Sequence, residues 1–192
     1  MVRALLREGV PLPPQVLARA LRAGWVPASE LVRQLATAGP GASRLWIIAG
    51  LRELPDRSAV PLLRELIEGS AESDAVVELA PLLGERGMAA SSAIVELAAQ
   101  PATRRAGLAA LAAIPRSAAV VAVVKDMRPK AESDAGLLLE LSNMAGFLAG
   151  AAANTLSTDW TSESFELFSW LASMARTNKP SPYRRRRNSD NI

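Results

Sequence analysis

The sequence predicts an all-α protein in which short helices pair into hairpins that stack on one another. Three observations support this prediction. Alanine and leucine dominate a chain of 192 residues that is 49% hydrophobic but only 4% aromatic, which is the composition of close-packed helices rather than strands. Apolar residues recur at helical spacing between short interruptions by proline and glycine. One long segment of the chain is also repeated at a fixed distance.

The repeated segment begins at Leu51, and its counterpart begins sixty positions later at Leu111. The two stretches, LRELPDRSAVPLLRELIEGSAESDA and LAAIPRSAAVVAVVKDMRPKAESDA, align without a gap. Both contain the block AESDA, at Ala71–Ala75 and at Ala131–Ala135. A shorter likeness between LVRQL at 31–35 and LLREL at 62–66 indicates an underlying unit of about thirty residues.

Turn signals divide the chain into candidate helices. Pro14 is expected to open one helix and Gly24 to end it. Ser58 is expected to cap another, with Pro61 tolerated in its first turn. The predicted helices cover about 14–23, 28–38, 43–54, 58–68, 74–83, 91–100, 103–114, 117–127 and 134–156. The last of these is expected to be kinked near Gly146 or Gly150. An aromatic helix is predicted to follow at 160–174.

The pattern LxxLPDxxAVPLLxxLI at 51–67 resembles that of HEAT repeats, especially short HEAT-like units. The resemblance covers residues 14–130 and continues to 156 as one further helix. It implies a right-handed α-solenoid of about four to five helical hairpins, whose concave groove binds a protein or peptide. The residues that carry the resemblance are Leu51, Leu54, Pro55, Asp56, Ala59, Val60, Pro61, Leu62, Leu63, Leu66 and Ile67.

Three regions are expected: a repeat domain at 1–156, an aromatic helix at 157–176 and an arginine-rich tail at 177–192. The aromatic helix has only a narrow polar face, so it is expected either to cap the last repeat or to dock a partner. The tail is expected to be disordered. The candidate partner-binding residues of the helix are Trp160, Phe165, Phe168 and Trp170, and those of the tail are Arg184, Arg185, Arg186 and Arg187.

Charge is distributed unevenly along the chain. Residues 71–175 carry seven basic and twelve acidic side chains, whereas 176–192 carry six basic and one acidic. The predicted folded part therefore lacks the basic surface typical of nucleic-acid binding. The four arginines of the tail fit a nucleic acid or another anionic surface, and the alternative is that they only keep the chain soluble.

The chain contains no cysteine and no histidine, which excludes thiolate catalysis, Cys-ligated zinc and histidine acid–base chemistry. No catalytic residue, cofactor or metal site is expected. The acidic constellations at 72–74 and 132–134 (Glu-Ser-Asp) fit a hard metal or a basic ligand in one interpretation. In the favoured interpretation, Ser73 and Ser133 cap helices whose N-terminal dipoles the acids complement.

Arg33 and Arg64 occupy matching positions in successive repeats, and Arg44, Arg52 and Arg57 add positive charge nearby. An acidic peptide is therefore the preferred groove ligand, against the alternative of a solvated helix face. The apolar stretch Leu137–Ala153 is shorter than the ~20 residues of a spanning helix, and its Gly146 and Gly150 are expected to pack closely inside the fold. No membrane span and no secretory signal are expected, so the predicted location is cytoplasmic.

The function expected from these observations is a non-enzymatic scaffold or adaptor that binds a protein through its groove and its aromatic helix. One alternative is a nucleic-acid-associated repeat protein that uses the arginine tail. Another is an enzyme subunit similar to bilin lyases with HEAT-like repeats, which rests on fold resemblance alone. Specific binding is expected where the repetition fails, at the turn 84–87, the aromatic helix and the tail.

Overall fold

A computed structural model describes residues 2–38, 42–156 and 162–177. Within these ranges the chain forms helices and no strand, so the all-α prediction is confirmed. The helices are α1 (Val2–Arg7), α2 (Pro14–Arg22), α3 (Ala28–Thr37), α4 (Ala42–Arg52), α5 (Asp56–Gly69), α6 (Val76–Gly84), a short 3-10 helix (Gly87–Ala90), α7 (Ser91–Ala99), α8 (Arg104–Ala112), α9 (Ser117–Ser133), α10 (Ala135–Asn143), α11 (Ala145–Leu156) and α12 (Ser162–Thr177).

Most helices contact the helix two positions further along the chain, which arranges them in two layers. The first layer runs through α2, α4, α6 and α8, and the second runs through α1, α3, α5, α7, α9 and α11. The two layers meet in pairs such as α5 with α6 and α7 with α8. One continuous core of leucine, isoleucine, valine and alanine lies between them. α10 packs on α9, and α12 packs on α11 at the end of the second layer.

Two glycines let neighbouring helices approach closely. A Cβ atom on Gly107 in α8 would overlap the backbone of Ala98 in α7. A Cβ atom on Gly84 in α6 would overlap the carbonyl of Ala110 in α8. Because no larger residue fits at either position, these glycines set the spacing of the middle hairpins.

Helix starts differ from the predictions in two places. α5 begins at Asp56 with Pro55 at its N-cap, and no side chain caps it, so the prediction that Ser58 is the cap is wrong. Pro61 was expected in the first turn, but because α5 begins at Asp56 it is the sixth residue and lies inside the helix, where its missing N–H removes one helical hydrogen bond. α1 was not predicted at all, because its six residues are too few for a periodic pattern to be recognised.

The apolar stretch 134–156 forms two helices instead of one helix kinked at a glycine. The break lies at Met144, between α10 and α11. Just before it, the Ser142 hydroxyl donates to the carbonyl oxygen of Leu139 at 2.7 Å, a side-chain bond of the kind that bends helices. Within the described ranges, no helix combines the length and the apolar character required to cross a bilayer.

Candidate protein-interaction surfaces

The two AESDA blocks each supply an aspartate to an arginine on a neighbouring hairpin, which is buried at Arg44 and partly buried at Arg104. Arg44 at the start of α4 is only 2% exposed. Its Nε donates to the carbonyl oxygen of Ala38 at 3.1 Å, and its Nη2 donates to Asp74 Oδ1 at 2.7 Å. Glu78 lies within 3.5 Å of the same guanidinium. Arg44 is therefore part of the packing between hairpins, and its expected contribution to a positive surface is wrong.

Arg104, sixty residues after Arg44, makes the same pair of contacts. Its Nε donates to the carbonyl oxygen of Ala98 at 3.3 Å, and its Nη2 donates to Asp134 Oδ2 at 2.5 Å. The repeated block therefore serves a repeated structural link. The Glu-Ser-Asp constellations supply these links, and no group of three or more acidic side chains able to hold a metal ion occurs in the part of the chain that the structure describes.

The caps at these blocks are made differently from the prediction. Asp134 caps α10, because its Oδ1 accepts from the backbone N–H groups of Gly136 at 2.8 Å and Leu137 at 3.1 Å. Ser133 lies in the last turn of α9 and donates back to the carbonyl of Lys130, so it is not the cap. Ser73 accepts from the N–H of Ala75 at 3.2 Å, but α6 begins after it without a side-chain cap.

Both aspartates are stabilised in their ionised form. The hydrogen bond from Arg44 lowers the pKa of Asp74 below its ordinary value. The backbone N–H of Leu137, then that of Gly136 and the charge of Arg104, lower the pKa of Asp134. The hydrogen bond to Asp74 in turn raises the pKa of Arg44 above its ordinary value. These links therefore remain charged throughout the neutral pH range.

The turn at 84–87 also links neighbouring helices through its side chains. Arg86, which is largely buried, donates to the carbonyl oxygens of Leu51 at 3.0 Å and Leu54 at 2.9 Å. It also pairs with Asp56 at 3.1 Å. Glu85 accepts from Arg52 at 2.8 Å. The turn at 84–87, where the sequence departs from the repeat, therefore supplies Arg86 as a hydrogen-bond donor at the C-terminal end of α4. The last carbonyl oxygens of a helix have no partners within the helix itself.

The predicted groove arginines both lie on the second layer, but neither is unpaired. Arg33 pairs with Glu30 one turn earlier on α3. Arg64 pairs with Glu68 on its own helix at 2.9 Å and with Glu96 on α7. The hydrogen bond to Glu68, followed by the charges of both acids, raises the pKa of Arg64. An acidic ligand at Arg64 therefore competes with carboxylates of the protein itself for the guanidinium.

The aromatic helix α12 presents one buried side and one exposed side. Leu167 and Leu171 are buried. The guanidinium of Arg128 on α9 lies over the ring of Trp170, 5.3 Å from its centroid, a cation–π distance. Phe165 is 50% exposed. Trp160, the side chain of Phe168 and all of Arg184, Arg185, Arg186 and Arg187 lie outside the described residues.

A groove beside α11 was not identified from the sequence. It has a volume of about 430 Å³ and lies between the start of α9 and the outer side of α11. Phe147, 47% exposed, projects at its edge. The Gly146 and Gly150 pair that lines it was noticed in the sequence and expected to pack closely inside the fold, but among the described residues no other element lies within 4 Å of a Cβ atom built at either position.

No protein-family model, curated protein or solved structure matches this chain.

Proposed function

We propose that this protein is a HEAT-like α-solenoid that acts as a non-enzymatic scaffold, binding a protein partner along its second helical layer. The order of helix contacts supports this proposal, because stacked hairpins place each helix against its counterpart in the next unit. The links from Arg44 to Asp74 and from Arg104 to Asp134 support it too, since each joins residues thirty positions apart. Such stacks offer long, continuous surfaces to partners.

The observation that carries the proposal is the ion-pair cluster formed by Arg64, Glu68 and Glu96. It crosses from α5 to α7, so it belongs to the outer surface of the second layer and not to one helix. Each of the three side chains is 37% exposed. Exposed ion pairs of this kind contribute little to stability, about 0–1 kcal/mol, so a partner's charges can replace them at small cost.

This exchange is the basis for an acidic peptide as the ligand. A partner carboxylate can take the place of Glu68 or Glu96 on Arg64 and the place of Glu30 on Arg33, whose side chain is 53% exposed. The planar guanidinium favours bidentate binding of a carboxylate. Because Arg64 lies between Glu68 and Glu96, the surface around it is net negative, so only an acidic group that contacts the guanidinium directly gains from binding there.

We further propose that α12 is the end cap of the repeat domain. Its Leu167 and Leu171 cover the last helix pair, and Arg128 holds Trp170 from α9. Phe165 lies on the same helix and is 50% exposed. A partner that contacts its exposed half would meet the scaffold at the capping helix.

Affinity capture followed by mass spectrometry, with wild-type protein and two variants, tests the scaffold proposal. The wild type is expected to retain a stoichiometric protein partner. Replacing both groove arginines, Arg33→Glu with Arg64→Glu, should release that partner without unfolding the protein. Arg22→Glu, at an exposed arginine on α2 in the first layer, is the matched control and should retain it. Absence of any stoichiometric partner, or equal retention by both variants, would contradict the proposal.

A further inference from the structure

A recess between α3 and the C-terminal end of α5 has an acidic lining. Its volume is about 580 Å³, Glu68 and Glu72 line it, and no lysine or arginine is among its described lining residues. Glu68 is already paired with Arg64. α5 has no basic side chain in its last turn, although the C-terminus of a helix carries a partial negative charge that cations stabilise. The recess therefore combines the charge of Glu72 with the negative end of a helix.

Ser70, in the wall of this recess, has a hydroxyl group without a hydrogen-bond partner in the described part of the chain. The residue is only 4% exposed, so bulk water does not satisfy the hydroxyl. Buried polar groups are nearly always hydrogen-bonded, and one that is not indicates a missing partner. A hydrogen-bond donor that enters the recess can supply that partner.

The second copy of the repeat shows which charge the recess lacks. Glu132, sixty residues after Glu72, accepts a hydrogen bond from Arg128 Nε at 2.8 Å. By the same spacing, Arg128 corresponds to Glu68. Lys130 adds a second cation in the last turn of α9. The first copy therefore retains the glutamate but has neither of the cations that accompany it in the second copy.

The helices that form the recess do not supply the cation that Glu72 lacks. Glu72 is in no ion pair of the described chain. Arg44, which binds Asp74 two residues further on, is held by that contact and by the carbonyl oxygen of Ala38. Residues 39–41, which lie outside the described ranges, are Gly-Pro-Gly and carry no charge. The matching cation therefore has to come from a ligand.

The lining of the recess suits a primary ammonium group at the end of an aliphatic chain. An ammonium group has hydrogen-bond donors and no acceptor, which matches carboxylate and hydroxyl oxygens. Val32, Ala36 and Ala71 form an apolar part of the wall, along which methylene groups can lie. Gly69 permits this part to close, because a Cβ atom there would lie 2.8 Å from Val32. A hard metal ion fits less well, because no group of three acidic side chains able to hold one occurs in the described ranges.

We infer that this recess is a binding site for an aliphatic primary ammonium, from a lysine side chain or a free alkylamine. Glu72 pairs with the charge, the Ser70 hydroxyl accepts an N–H, and the methylene chain lies along Val32. The bound ammonium takes the place that the basic side chains of α9 hold in the second copy. This inference does not depend on the scaffold proposal, because a small amine alone tests it.

An NMR titration of the full, isotope-labelled chain with pentylammonium chloride tests it. The backbone amide signals of residues 69–73 should shift and saturate, with a dissociation constant on the order of millimolar. Glu72→Gln should weaken binding about tenfold. Glu132→Gln, at the corresponding position of the second copy, is the matched control and should bind as the wild type does, because Glu132 already pairs with Arg128. Ser70→Ala should also weaken binding without lowering stability, because the hydroxyl has no partner to lose.

Further probes identify the source of the ammonium group. Tighter binding of Nα-acetyl-lysine amide than of spermidine identifies a lysine side chain, and the reverse order identifies a free polyamine. Tetramethylammonium, which has no N–H donor, should not saturate the same signals. The inference is overturned if it does, if no amide of residues 69–73 responds to any of the amines, or if Glu72→Gln binds pentylammonium as tightly as the wild type.

Discussion

Arg44 binds Asp74 across two hairpins, and this contact recurs sixty residues later between Arg104 and Asp134. In each case the arginine also donates from Nε to a carbonyl six residues earlier, at Ala38 or Ala98. One guanidinium thus joins the end of one helix to the start of the next hairpin. The fork of donors in arginine permits both contacts at once, which a lysine ammonium at the end of a flexible chain cannot reproduce.

The first prediction concerns the free energy of unfolding of Arg44→Ala. Arg44 is 2% exposed, and its removal leaves the Ala38 carbonyl without its side-chain donor. We expect a loss of about 1–3 kcal/mol, and Arg44→Lys should not restore it. Arg52→Ala is the control, because Arg52 and Glu85 form an exposed pair, and it should cost under about 1 kcal/mol. Urea unfolding measures both. Equal costs would show that burial of Arg44 is unimportant.

The second prediction separates the two candidate caps of α10. Asp134→Ala removes the acceptor of two backbone N–H groups, from Gly136 and Leu137, and the partner of Arg104. The melting temperature should fall clearly. Ser133→Ala removes only a bond back to the preceding turn of α9, and its melting temperature should stay close to that of the wild type. If Ser133→Ala is the more damaging change, the assignment of Asp134 as the cap is wrong.

These first two predictions show what the sequence could and could not supply. The AESDA repetition identified positions with a repeated structural role, but the predicted serine caps are wrong and the links from Arg44 and Arg104 to the aspartates were not predicted. The roles of serine and aspartate within the block were not predictable, because both residue types cap helices and the choice depends on Arg104 reaching Asp134 from α8. Arg44 was misread because a sequence gives no sign that a charged residue is buried.

For the groove beside α11, the sequence pattern was recognised but its position in the fold was not predicted. The spacing of Gly146 and Gly150 was visible in the sequence, but spacing does not say which side of a helix faces the core. Only the packing of α11 on α9 and α12 shows that both glycines lie on a side of α11 that no other described element contacts closely. Similarly, periodicity could not reveal the helix boundary at Met144 or the bond from Ser142 to Leu139 that lies beside it.

The third prediction is a pH dependence. The folded-state pKa of Asp134 lies below its ordinary value of 3.8. Its ionised form therefore stabilises the fold above that value, and this stabilisation is lost as the pH falls through the lower folded pKa. We expect the urea midpoint to be constant from pH 7 to about pH 5 and to decline on further acidification. In Asp134→Asn this decline should be shallower. An identical acid slope in wild type and variant would rule out this contribution.

The fourth prediction is that two glycine-to-alanine substitutions change the free energy of unfolding in opposite directions. Gly107→Ala forces a methyl group against the backbone of Ala98 and should cost about 1–3 kcal/mol. Gly150→Ala places a methyl group where no other described element lies within 4 Å and should stabilise the fold by about 0.5–1 kcal/mol. Both values come from urea unfolding at the same protein concentration. The same sign for both substitutions would contradict this account of the glycines.

The fifth prediction tests whether α12 is a cap. Deleting 158–192 removes the buried Leu167 and Leu171 and the ring that Arg128 covers. If α12 is the cap, thermal melting should broaden and begin at a lower temperature, because the last hairpin loses its apolar cover. A chain truncated after Thr177 retains α12 and is the control. An unchanged, cooperative transition in the shorter chain would assign α12 to partner docking alone.

The links between hairpins also bear on how the chain acquires its fold. Arg44 with Asp74 and Arg104 with Asp134 each close a loop of only thirty residues, and Arg86 with Asp56 does the same in the opposite direction. Contacts over such short distances form quickly, because little loop entropy opposes them. During synthesis, each hairpin can therefore fasten to the one before it as soon as it leaves the ribosome, and the core grows in the order in which the chain is made.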